Sequence, residues 1–134
     1  MAYGAFWRKE QGKMIAVKRA YAPPAAEDGT RFLVDGLWPR GVKKETLRIE
    51  AWLKEVAPSA ALRNWFGHDP ARWDVFLTRY FAELKDKEQE LEPIRAAARK
   101  GRVTLVYGAR DEEHNNAVAL KAYLDKSRSG ARSS

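Results

Sequence analysis

The sequence predicts an α/β domain: a small, mainly parallel sheet flanked by helices, folded as a single compact domain. Three observations carry this. Short apolar runs at 15–17, 32–34 and 103–107 read as strands, the first two joined by a loop and the last two separated by a long stretch with helical spacing, and strands connected through helices pair in parallel. The chain has 134 residues, 45% of them hydrophobic, which suits one core. No internal repeat divides it.

The elements follow in order. In "MIAVKRAY", Met14–Tyr21, Ile15 and Val17 alternate with smaller or polar residues, which predicts a first strand. Residues 1–13 are read as an N-terminal extension and 14–125 as the domain. "APPAAEDGT" is a Pro- and Gly-rich loop, and Phe32–Val34 in "RFLVDGLW" a second strand. "KKETLRIEAWLKEVAPS" mixes signals: Leu47 and Ile49 alternate, while Ala51, Trp52, Leu53 and Val56 fit a helix. The expectation is an irregular start and a short helix that stops before Pro58.

Ser59 can cap "AALRNWF", which Gly67 stops. Asp69 and Pro70 suit the cap and first position of a long helix, with Trp73, Phe76, Leu77, Tyr80 and Leu84 along its inner face. Pro93 separates it from a further helix ending at Lys100-Gly101. Val103–Tyr107 is apolar and rich in β-branched residues, a buried strand. A closing helix follows, with Asp111 as cap, Glu112 and Glu113 against the helix dipole, and Ala117, Leu120 and Leu124 inward. Residues 126–134 are read as a basic, disordered tail.

Composition narrows the function. Cysteine is absent, which excludes disulfides, thiol nucleophiles and cysteine metal sites and fits a cytoplasmic chain. No apolar run approaches the roughly 18 residues of a membrane span, and the N-terminus lacks the pattern of a secretory signal. The net charge of +7 invites a nucleic-acid reading, but its distribution weakens it. Residues 1–13 carry a net +2 and residues 126–134 a net +3, so the 14–125 segment, with 19 basic and 17 acidic residues, holds only +2.

In parallel sheets, sites form beyond the carboxyl ends of the strands. That rule brings three distant segments to one rim: Arg19, after the first strand; Asp35, Trp38 and Arg40, after the second; and Arg110, Asp111, His114 and Asn115, after the last. The middle segment, "DGLWPRG", gives Gly36 and Gly41 for a bend, Pro39 to stiffen it, Trp38 to anchor it and Arg40 to face outward. Arginine grips carboxylate or phosphate with two hydrogen bonds. Arg19, Trp38, Arg40, Arg110 and Asn115 are therefore expected to bind a ligand, and His114, Asp111 and Asp35 to orient it or exchange protons. The competing structural reading pairs those arginines with Asp35, Asp69 or Asp111 to brace loops. His68 is the second candidate base, and the stronger reading for it is that it fixes the start of the long helix. The two histidines lack the spacing of a zinc motif, so no metal is expected. Phosphate-loop, dinucleotide and nucleophile-elbow motifs are absent, and no cofactor is indicated.

Taken together, "VKRAY", "DGLWPRG", "APS" with "LRNWFGHDPARWDVFLTRY", and "VTLVYGARDEEHNNAVAL" resemble the YeaO-like family, a set of uncharacterised prokaryotic proteins defined as a domain of unknown function. The resemblance covers about residues 14–125 and implies a compact cytoplasmic α/β domain without implying a reaction. The expected function is binding of a small anionic ligand at the strand ends, with or without acid–base catalysis. The alternative is a nucleic-acid-associated or protein-interaction module that uses the basic tails and an exposed tryptophan.

Overall fold

A computed structural model describes residues 14–133; the N-terminal extension lies outside the described residues. Four strands form the sheet: β1 Ile15–Arg19, β2 Thr30–Leu33, β3 Ala51–Trp52 and β4 Val103–Tyr107. Five α-helices accompany them: α1 Lys44–Leu47, α2 Ala60–Phe66, α3 Trp73–Lys85, α4 Glu92–Lys100 and α5 Asn116–Ser133. The strand order is β1-β4-β2-β3 and every pairing is parallel. Among the described residues no helix is long and apolar enough to cross a membrane.

The α/β prediction holds, and β4 explains the layering. All five of its residues are buried, as expected of a strand flanked on both edges and covered on both faces. Its alternate residues Val103, Leu105 and Tyr107 join Phe32 and Val34 in the larger core, packed against Leu62, Phe76, Tyr80, Ile94 and Leu120 from the helices. Val106 points the other way, into a smaller cluster with Ala20, Leu33 and Leu47, closed by Trp38, Val42, Ile49 and Trp52. Helices thus cover one face, while the segment between β2 and β3 folds over the other.

That segment contains the main departure from the expected elements. Ala51 and Trp52 form a strand, not a helix, and pair with Phe32 and Leu33. The open edge of β2 supplies the reason: Glu50 N donates to Arg31 O at 2.7 Å and Leu53 N to Leu33 O at 2.8 Å. An edge that needs partners overrides a weak helical preference in a short segment. At the closing helix, the start moves from Asp111 to Asn116. Asn115 is the cap, its Oδ1 accepting from Val118 N at 2.9 Å, and the helix continues past Lys126 into the basic tail. Ser59 and Gly67 cap α2 as expected: Ser59 Oγ accepts from Leu62 N at 3.1 Å, and Gly67 is left-handed with φ 54°. Asp69 caps a 3₁₀ turn at Pro70–Arg72, which leads into α3.

Two features fix the remaining loops. Arg31, only 4% exposed, donates to Leu47 O from Nε at 3.1 Å and Nη2 at 2.9 Å, and pairs with Asp28 at 2.8 Å. This ties the β1–β2 loop to α1 under the sheet. Gly29 sits at φ 67°, where an added Cβ would lie 2.1 Å from the Arg102 carbonyl oxygen; only glycine allows that approach.

Candidate functional site

The site begins where β2 and β4 end side by side. Val34 N donates to Val106 O at 3.1 Å, which carries the pairing one step past β2. The next residue, Asp35, takes the Gly108 N–H on its Oδ2 at 2.8 Å, so the loops leaving both strands are joined by one side chain. Gly108 is small for this reason: a Cβ there would stand 3.3 Å from that oxygen. The Asn116 side-chain amide donates to Val34 O at 2.9 Å and to the Asp35 carboxylate. Burial pushes the Asp35 carboxyl up; Gly108 and Asn116 and the charges of Arg63 and His68 pull it down, and it settles above its ordinary value.

Beyond Asp35 opens a cavity of about 530 Å³, a size common for small-molecule sites. The "DGLWPRG" loop makes one wall. Trp38 is half-buried, its Nε1 donating to Val42 O at 2.6 Å and its ring edge-on to Trp52 at 5.4 Å. Trp52 Nε1 in turn donates to Asp35 O at 2.7 Å. The loop is therefore anchored by two indoles, and Gly41, at φ 78°, turns it back. The opposite wall is the end of α2, with Arg63, Asn64 and Phe66. After it, Gly67 and His68 are both left-handed, at φ 54° and 58°, and turn the chain across the mouth. A left-handed non-glycine residue is strained, and such strain gathers at functional sites.

The third wall is the loop after β4. Asp111 Oδ1 accepts from the Glu113 and His114 N–H groups at 2.9 and 3.0 Å, and its Oδ2 lies 3.0 Å from His114 Nδ1. The Glu113 N–H and the His114 side chain hold the Asp111 carboxyl below its usual range, against a smaller effect of desolvation. The ring stands edge-on to Trp73 at 5.3 Å. In neutral His114 this bond assigns the proton to Nδ1 and leaves Nε2 as the free acceptor.

The predicted rim is thus partly assembled. Asp35, Trp38, Arg40, His114 and Asn115 line the cavity. Asn115 has its amide committed, to Asp111 O at 3.0 Å and to the α5 cap, so it is less free than expected. Asp111 stands behind His114. Arg19 does not face the cavity: its Nε donates to Ala109 O at 2.9 Å and its Nη2 to Gly108 O at 3.4 Å, with the guanidinium over the Tyr21 ring. It is a strut for the β4 loop. Arg110 is exposed and absent from the lining. The sequence reading passed over Arg63, Asn64 and Asn116 and favoured a structural role for His68 over that of a base. The available signal was an arginine beside inward-facing Leu62 on a helix that stops at the rim. Among the described residues no three His, Asp or Glu side chains gather as metal ligands.

The arrangement, a half-open pocket between two parallel strand ends, is carried by the motifs that define the resemblance. A family model described as the inactive DUF488-N3 subclade matches residues 14–132. The chain belongs to that subclade. It is 41% identical to the uncharacterised protein YeaO of Escherichia coli K12 over 110 residues, 82% of this chain and 96% of that protein. It is 38% identical over 111 residues to the uncharacterised proteins Mb3100c of Mycobacterium bovis and Rv3073c of Mycobacterium tuberculosis, covering 83% of this chain and 93% of each. The likeness to YeaO read from the motifs is borne out. No solved structure matches the chain.

Proposed function

We propose that this DUF488-N3 chain binds a small ligand bearing a phosphate or carboxylate in the cavity between the β2 and β4 loops. One observation carries the reading: Arg63 lines the cavity, and among the described residues no hydrogen bond or ion pair engages its guanidinium. A guanidinium grips a phosphate or carboxylate with two hydrogen bonds, so an anion in the cavity supplies the partner that this charge lacks. Arg40 and His68, on the same lining, add cationic or donor groups from the two other sides of the mouth. His114, oriented by Asp111, offers Nε2 for proton exchange with whatever is bound. The description of the subclade as inactive favours binding over turnover. A cytoplasmic location fits the lack of cysteine. Nucleic-acid binding draws less support, because most of the excess positive charge belongs to residues 1–13 and 126–134 and only +2 of it to residues 14–125.

The test is a thermal-unfolding screen against phosphate monoesters and carboxylic acids. A ligand at about 100 times its Kd adds about 2.7 kcal/mol of stability. We expect a rise in Tm with at least one class, lost in Arg63→Met. A flat response to every member would end the reading.

A further inference from the structure

Two oppositely charged groups of the cavity, Asp35 and Arg63, are neighbours that do not bond to each other. Asp35 comes from the end of β2 and Arg63 from the last turn of α2. They are close: a Cβ on Gly36, the residue after Asp35, would touch the Arg63 guanidinium carbon at 3.5 Å and Nη2 at 3.6 Å. Yet Asp35 spends its hydrogen bonds on Gly108 and Asn116, and no ion pair joins it to Arg63 among the described residues. The carboxylate is fixed by the Gly108 N–H of the β4 loop, while the guanidinium reaches the same cavity from α2.

This geometry constrains the ligand. A carboxylate can accept about four hydrogen bonds, and Asp35 uses two. An anion that meets Arg63 must therefore lie beside a second carboxylate with acceptor capacity to spare. A bare anion suffers that like-charge contact. An anion with a donor a few bonds away turns it into a hydrogen bond. The further polar lining, which includes Arg40, Asn64, His68 and His114, suits a polar ligand body over a hydrocarbon one.

We propose that the pocket selects an acid that also carries a hydroxyl or ammonium group, its anionic end on Arg63 and its donor on Asp35. This rests on the anion-binding reading above. The test uses matched pairs on the full chain by calorimetric titration: glycerol 3-phosphate against propyl phosphate, phosphoethanolamine against ethyl phosphate, and glycerate against propionate. The phosphate and carboxylate pairs distinguish the two sources of the anion.

The donor-bearing member should bind about tenfold tighter or more, the worth of one hydrogen bond to a charged group. In Asp35→Asn the ammonium preference should disappear, while the bare anion binds as well or better. Arg63→Met should weaken both members of each pair. Equal affinity within every wild-type pair overturns the donor requirement and leaves simple anion binding standing. Absence of binding by all six compounds overturns both. If Asp35→Asn fails to fold, the wild-type pairs decide alone.

Discussion

Replacing Arg63 with methionine separates a ligand-binding arginine from a structural one. Methionine keeps the unbranched stem and most of its packing but removes the charge and the donors. Relief of the unpaired buried Nε favours the variant by roughly 1–3 kcal/mol. Against this, Arg63 sits in the last turn of α2, where a cation is worth about 0.3–1 kcal/mol. Its attraction for the Asp35 carboxylate, across an open cavity where the dielectric approaches that of water, adds a loss of about 1 kcal/mol. The terms nearly cancel, so stability should stay within about 1 kcal/mol of wild type, or roughly 4 °C in Tm for a domain of this size. Affinity for an anion should fall about 10- to 100-fold. Differential scanning calorimetry and titration with glycerol 3-phosphate measure both. A Tm drop of more than about 10 °C would match the roughly 3–5 kcal/mol cost of breaking a buried ion pair, and would mean that Arg63 braces the fold.

Three further outcomes follow from the same geometry. His68→Gly relieves a left-handed residue at φ 58°: about 1–2 kcal/mol of strain less the entropy of glycine leaves a gain of about 0.5–1 kcal/mol, with weaker anion binding; denaturant midpoints and titration check the pair, and unchanged binding would remove His68 from the site. Gly29→Ala should cost about 3 kcal/mol or more, since its Cβ would meet the Arg102 carbonyl at 2.1 Å in a left-handed backbone; a wild-type Tm would contradict the packing described. For pH, burial raises the Asp28 carboxyl, but the Ala25 N–H, Lys18 and Arg31 outweigh it and hold the group below 3.8. Its stabilising effect is therefore present above that value and lost as pH falls through the folded-state value. Asp35 is raised, so its effect runs oppositely: full below 3.8 and lost as pH rises through its folded-state value. Asp28→Asn should lower, and Asp35→Asn raise, unfolding midpoints at neutral pH, with the differences shrinking below about pH 4; parallel shifts in both variants would refute the assignment.

Much of this was legible in the chain itself. Ile15, Val17 and Val103–Tyr107 marked strands because their apolar pattern admits little else. Ser59, Gly67, Pro93 and Gly101 punctuated helices because caps and breakers act within one turn of the backbone. The rule that parallel strands end at a common rim placed Asp35, Trp38, Arg40, His114 and Asn115 around one cavity. What the tertiary structure alone decided were matters of partnership. Ala51-Trp52 became a strand because β2 offered an edge. Asn115 displaced Asp111 as the cap because Asp111 was already committed to the turn before it. Arg19 turned from the rim because two loop carbonyls came within its reach, and Arg63 entered the pocket because α2 ends against Gly36. Local signals are written in neighbouring residues, but the fate of a long charged side chain depends on what the fold brings within about 6 Å of its tip, and no short window of sequence contains that.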